Sequence, residues 1–130
     1  MNARFMRYHL PAILWALAIF GFSSIPSSSI PNLGIFSHDK LLHAGVFFVF
    51  SFFVYRSFKM QQRLPALSRH AGVWTLVAAT LYAITDEIHQ IFVTGRSADY
   101  RDVLADVTGA LILLGLMWII TARRTRDGRD

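Results

Sequence analysis

Apolar residues gather into four long runs, at roughly 9–25, 41–58, 72–93 and 102–122, each close to the ~20 residues that cross a bilayer core. Within a run such as Val46-Phe47-Phe48-Val49-Phe50 the alternation of a membrane barrel strand is absent. Helices are therefore expected, because a backbone in lipid must satisfy its own hydrogen bonds. Breakers separate the runs: Pro26, Pro31, Asn32 and Gly34 in the first connection, Pro65 in the second, and Thr94-Gly95-Arg96-Ser97 in the third. Pro11 suits a first helical turn. The pattern predicts an all-α membrane protein of four transmembrane helices, forming one domain over residues 1–130.

Composition strengthens this reading. Of 130 residues, 54% are hydrophobic and 16% charged, whereas ordinary globular domains carry about 25% charged. A body this small has too little interior to hide four apolar helices from water. The chain contains no cysteine, which excludes disulfides, thiolate metal sites and a cysteine nucleophile. The net charge of +5 does not mark a nucleic-acid-binding face, because the basic residues sit at the ends of the runs and no nucleic-acid motif is present.

Those ends predict orientation. Arg4, Arg7, Arg56, Lys59, Arg63, Arg69, Arg123, Arg124, Arg126 and Arg129 fall on one side, with only Asp127 and Asp130. By the positive-inside rule that side is cytoplasmic and both termini lie inside. The first run also has the basic start and apolar stretch of a cleavable signal peptide. Trp15 interrupts it and no small-x-small cleavage site follows, so a retained helix is expected. Trp74 and Trp118 fit the aromatic belt at the inner interface, and Ala105 with Gly109 suit a close helix contact.

The opposite side carries Lys40, Arg96 and Arg101 against Asp39, Asp86, Glu87, Asp99, Asp102 and Asp106. A charge at the centre of a spanning helix costs about 2.5–3.5 kcal/mol, so these acids are expected to face a protein interior or water and to have partners. Asp39 with His43, Asp86 with Gln90, and Asp102 with Asp106 are each four apart, which places both members on one helix face. At a rise of 1.5 Å per residue, Asp86 lies about 10 Å below residue 93, and His43 and Asp106 about 6 Å beyond Asp39 and Asp102. The three polar faces are expected to converge in one extracytoplasmic layer. Asp99 and Arg101 read as solvated loop charges, and His38 and His89 as weaker candidates than His43.

Phe22-Ser23-Ser24-Ile25-Pro26, Asp39-Lys40-x-x-His43, Asp86-Glu87-x-x-Gln90, Arg96, and Asp102-x-x-x-Asp106-x-x-Gly109 follow one another along the chain. In content and order these motifs resemble the VanZ-like membrane proteins, over Phe22 to Gly115. Asp106 stands where that family commonly has Asn, which adds a negative charge. The resemblance implies a small multi-pass protein of the cell membrane and, through the family's namesake, a link to resistance to the glycopeptide teicoplanin. It implies no reaction.

Three roles suit the polar layer. The first is a pocket built from Asp39, Lys40, His43, Asp86, Glu87, Gln90, Arg96, Asp102 and Asp106 that binds an envelope component, such as a lipid-linked precursor, or a glycopeptide. Arg96 would clamp a phosphate or carboxylate, with Lys40 as a second positive point. The second is a membrane hydrolase acting on a lipid phosphate, with Asp86, Glu87 and Asp106 holding a divalent cation and His43 moving a proton. Such an oxygen-rich set favours Mg or Ca over Zn. The third is a structural partner for another membrane protein. Binding is favoured over catalysis. No Ser-x-Gly elbow, phosphate-binding glycine loop or HExxH motif occurs.

Overall fold

A computed structural model describes residues 3–29, 39–126 and 128, with the side chain of Asp39 outside the description. The helices are α1 (Ala3–Tyr8), α2 (Leu10–Ser23), α3 (Asp39–Lys59), α4 (Pro65–Arg69), α5 (Ala71–Gln90) and α6 (Tyr100–Arg126), with a 3-10 turn at Ser27–Ser29. No strand occurs among the described residues. His38 lies outside them.

α1 and α2 are two parts of one rod. His9 N–H donates to the Phe5 carbonyl and Ile13 N–H to that of His9, so the i to i−4 ladder passes through the junction. Pro11, near the start of α2, lacks the N–H that would continue it. The third run ends earlier than its apolar residues suggest, at Gln90, because Phe92 and Val93 turn back through hydrogen bonds to the carbonyls of His89 and Gln90. Asp86 is thus one turn, about 6 Å, from the end of its helix.

α3 and α6 are long and apolar enough to cross a membrane; α2 is apolar but shorter. α5 has 20 residues, yet its last turn holds Asp86, Glu87, His89 and Gln90, which lowers its apolar character. Large side chains including Leu17, Phe22, Leu81, Ile88, Leu104, Ile112 and Trp118 are exposed around the outside, an arrangement suited to lipid.

The core is built on small residues. α5 buries Ala71, Thr75, Ala79 and Ala83, one every four positions, and α6 buries Asp102, Asp106, Gly109, Ala110 and Leu113 along a single stripe. Such stripes let backbones approach closely. α3 fills the remaining space with Phe47, Phe50 and Val54; Phe50 and Tyr82 rings lie 5.0 Å apart. α3 and α6 run parallel and share the most extensive contact in the bundle. At their crossing Gly109 lies against the Ala44 backbone, where an added Cβ would overlap the Ala44 carbonyl.

α2 is held differently. Trp15 Nε1 donates to the Val46 carbonyl at 3.1 Å, and Tyr82 hydroxyl donates to that of Ala16 at 2.6 Å. At the basic end His9 Nδ1 meets Ser57 Oγ at 2.6 Å, and Arg4, Arg7 and Arg56 gather around the Tyr8 ring.

The crossing gives a sharp test. Gly109→Val should lower stability in detergent by about 1–3 kcal/mol, the usual cost of overpacking. Gly45→Ala, where an added Cβ meets nothing within 4 Å, should leave it nearly unchanged. Thermal unfolding followed by size-exclusion recovery compares the two.

Candidate functional site

The alternation of helix directions gathers the described acids at one end of the bundle. Asp102 and Asp106 sit in the first turns of α6, and Asp86 and Glu87 in the last turns of α5. All four are buried, Asp106 to 1% exposure, so each needs donors.

The first group lies between α3 and α6. Lys40 Nζ donates to Asp102 Oδ1 and, at 3.1 Å, to Asp99 Oδ2. His43 Nδ1 meets Asp106 Oδ1 at 3.1 Å, while its Nε2 stands 4.0 Å from Asp102 Oδ1. Asp99 is more than a solvated loop charge. Its Oδ1 accepts the Arg101 N–H at 2.9 Å, the bond of a helix N-cap residue, and the start of α6 is set by it. That N–H, followed by Lys40, holds the Asp99 carboxyl below the usual carboxylate range. Because its folded pKa is depressed, its contribution is present above the ordinary carboxylate pKa and fades as pH falls through the lowered value.

The second group joins α5 to α2. Ser23 Oγ donates to Asp86 Oδ2 at 2.7 Å, and Gln90 Nε2 approaches Asp86 Oδ2 at 3.3 Å and Glu87 Oε1 at 3.4 Å. Glu87 Oε2 accepts the Asp99 N–H at 2.8 Å, which links the two groups. Asp86 Oδ1 is buried and has no hydrogen-bond partner among the described residues.

Arg96 is held by the backbone of the first connection. Its Nε donates to the Ile25 carbonyl at 3.3 Å, and its Nη2 lies 3.5 Å from the Phe22 carbonyl. These are carbonyls at and just beyond the C-terminal end of α2, where a cation complements the helix dipole; the Phe22 carbonyl also accepts the Ile25 N–H. Gly95, at φ 74°, makes the turn possible, and Ser27 N–H donates to Thr94 O in the same place.

A partly open cavity of about 560 Å³ lies between α2, α3 and α5. Among the described residues its walls are mostly apolar, with Trp15, Ile19, Phe22, Leu42, Val46 and Phe47, and its polar lining is Ser23, Ser29, His43, Asp86, Gln90 and Arg96. Of the sequence candidates, His43, Asp86, Gln90 and Arg96 therefore share one cavity. Lys40, Glu87, Asp102 and Asp106 are not on its lining among the described residues and form the ionic network beside it. The Asp39 side chain is outside the description. The proposed metal ligands Asp86, Glu87, Asp106 and His43 do not cluster as such: among the described residues no group of three His, Asp or Glu is arranged to hold a metal ion. They are divided between the two groups, each turned to its own donor.

Ser23 and Trp15 were not singled out for the site by sequence reasoning. Ser23 lies in the Phe22-Ser23-Ser24-Ile25-Pro26 motif, and its readable signal is a hydroxyl at the end of an apolar run, at the level where acids from other runs need donors. His89 is occupied structurally, with Nε2 3.0 Å from Ser24 Oγ and its ring stacked on Phe20 at 4.5 Å.

Two helices long and apolar enough to span a bilayer and an apolar exterior support a helical membrane protein. Residues 8–121 match the VanZ/LLP1 family, and the chain belongs to that family. No curated protein and no solved structure matches it.

The Lys40–Asp102 pair supplies a test. Lys40→Met leaves Asp102 buried without its cation and should cost about 1–3 kcal/mol in thermal unfolding. Adding Asp102→Leu should recover most of that loss, because the orphaned charge is then gone.

Proposed function

We propose that this VanZ/LLP1 protein crosses the membrane four times with both termini in the cytoplasm, and that its acidic end faces outward and binds a cell-envelope component. Lipid-linked phosphates, cell-wall precursors and the glycopeptides directed at them are the candidate ligand classes. The observation that carries this reading is the cavity between α2, α3 and α5, with His43, Asp86, Gln90 and Arg96 on its lining. Its volume falls within the ~300–1,000 Å³ usual for small-molecule sites. Apolar walls with a few convergent polar groups suit recognition of an amphiphile. The divided carboxylates give metal-assisted hydrolysis no comparable support.

Sidedness is testable without background labelling, because the chain has no cysteine. Gly95 is a poor probe position, since its positive φ and the nearby Ser27 Oγ both oppose a side chain. Exposed Ser97 and Gln62 serve instead. In intact cells Ser97→Cys should react with an impermeant maleimide and Gln62→Cys should not; the reverse pattern, or equal reaction, would refute the proposed orientation.

Binding is tested separately. The full chain, extracted in mild detergent and analysed by native mass spectrometry, should retain an envelope amphiphile. Asp86→Asn and Arg96→Ala should each reduce the retained fraction by about tenfold, the scale of one charge-assisted hydrogen bond. If both variants insert normally and retain as much as the parent, and neither alters teicoplanin susceptibility, the pocket reading fails.

A further inference from the structure

Three features of the cavity bear on what it holds. Asp86 is 6% exposed and lies on the lining, yet its Oδ1 has no donor among the described residues. An idle buried carboxylate oxygen is costly, and most such groups have a partner. The rest of the site does not relieve it: Ser23 and Gln90 both address Oδ2. A carboxylate offers about four acceptor sites and only Ser23 and Gln90 are seen to use them, so Asp86 on the lining can take a further donor from the cavity.

Arg96 is the second feature. It lines the same cavity, and its two carbonyl contacts are long, at 3.3 and 3.5 Å. A guanidinium has five N–H donors in a planar fork, so further donors remain for an anion. The third feature is the wall itself, where Trp15, Ala18, Ile19, Phe22, Val46 and Phe47 offer hydrocarbon and no hydrogen-bonding side chain apart from the Trp15 N–H, which is already given to Val46.

We infer that the cavity holds an apolar-chain lipid whose head carries an ammonium or hydroxyl donor beside its phosphate, the donor on Asp86, the phosphate toward Arg96 and the chain along Trp15 and Phe47. This deepens the proposed function and rests on its cavity reading. A lipid whose head lacks an N–H or O–H would leave Asp86 as it stands, and is discriminated against for that reason.

Trp15 on the wall reports occupancy directly. Trp74 and Trp118 are exposed on the bundle surface and would sense bulk lipid, so Trp74→Phe/Trp118→Phe is made first. The full chain is reconstituted in phosphatidylcholine bilayers doped with a minor fraction of a lipid brominated on its acyl chain, and Trp15 quenching is followed as that fraction rises. Three dopants are compared: phosphatidylethanolamine with ammonium donors, phosphatidylglycerol with hydroxyl donors, and phosphatidylcholine with neither. At least one donor-bearing dopant should associate about tenfold more tightly than phosphatidylcholine, and which one does so separates ammonium from hydroxyl. Asp86→Asn should reduce that preference severalfold while leaving the phosphatidylcholine curve in place. Equal quenching by all three dopants would overturn the inference, leaving Asp86 to water or to the chain itself. This comparison needs no substitution at the site, so it stands even if Asp86→Asn misfolds. Equal quenching together with a retained amphiphile in native mass spectrometry defeats only the head-group assignment; loss of both defeats the cavity reading as well.

Discussion

A buried carboxylate cannot stay in an apolar bundle without a donor, and here the donors come from other parts of the chain. Asp86 takes its hydroxyl from α2, Glu87 an amide from the start of α6, and Asp102 and Asp106 their partners from α3. Apolar stripes alone tolerate a slip of one helical turn, because one small residue replaces another. The ionic pairs do not. Lys40 and His43 on α3 meet Asp102 and Asp106 on the parallel α6, and a slip would separate both pairs at once. Polar contacts costly to bury thus set the register, a use of buried charge better attested than any gain in stability.

The bundle has a firm half and a looser one. α3, α5 and α6 close on glycine and alanine, with backbones nearly touching at Gly109 and Ala44. α2 rests on hydrogen bonds from Trp15, Tyr82 and Ser23, and on Arg96 at its C-terminal end. Large aromatic side chains hold it at a distance, and the cavity occupies the space that results. Its position therefore follows from the same chemistry that attaches α2.

The all-helical character of the long apolar runs was legible in the chain, because apolar runs and proline breakers act locally, whereas the short helices α1 and α4 were not. The end of α5 was misplaced because Ile91, Phe92 and Val93 are apolar, while the turn that excludes them depends on hydrogen bonds no composition reveals. The acidic layer was legible for a different reason: charge within an apolar run is too costly to be incidental. Its internal division was not, since that depends on partners some 60 residues away, such as Lys40 with Asp102. Arg96 was read as a clamp beside the acids; its attachment to the end of α2 is set by a turn through Gly95. The capping role of Asp99 had a readable signal, an acid just ahead of the last long apolar run.

The partnership of α3 with α6 joins segments far apart in sequence, and this bears on biogenesis. A chain made from its N-terminus delivers α5, with Asp86 and Glu87, before α6 exists. Ser23 is already present for Asp86, but the Asp99 amide that serves Glu87 leaves the ribosome only afterwards. Formation of α6 is thus the event that completes these carboxylate partnerships, and a product truncated before residue 99 would carry Glu87 without its Asp99 donor.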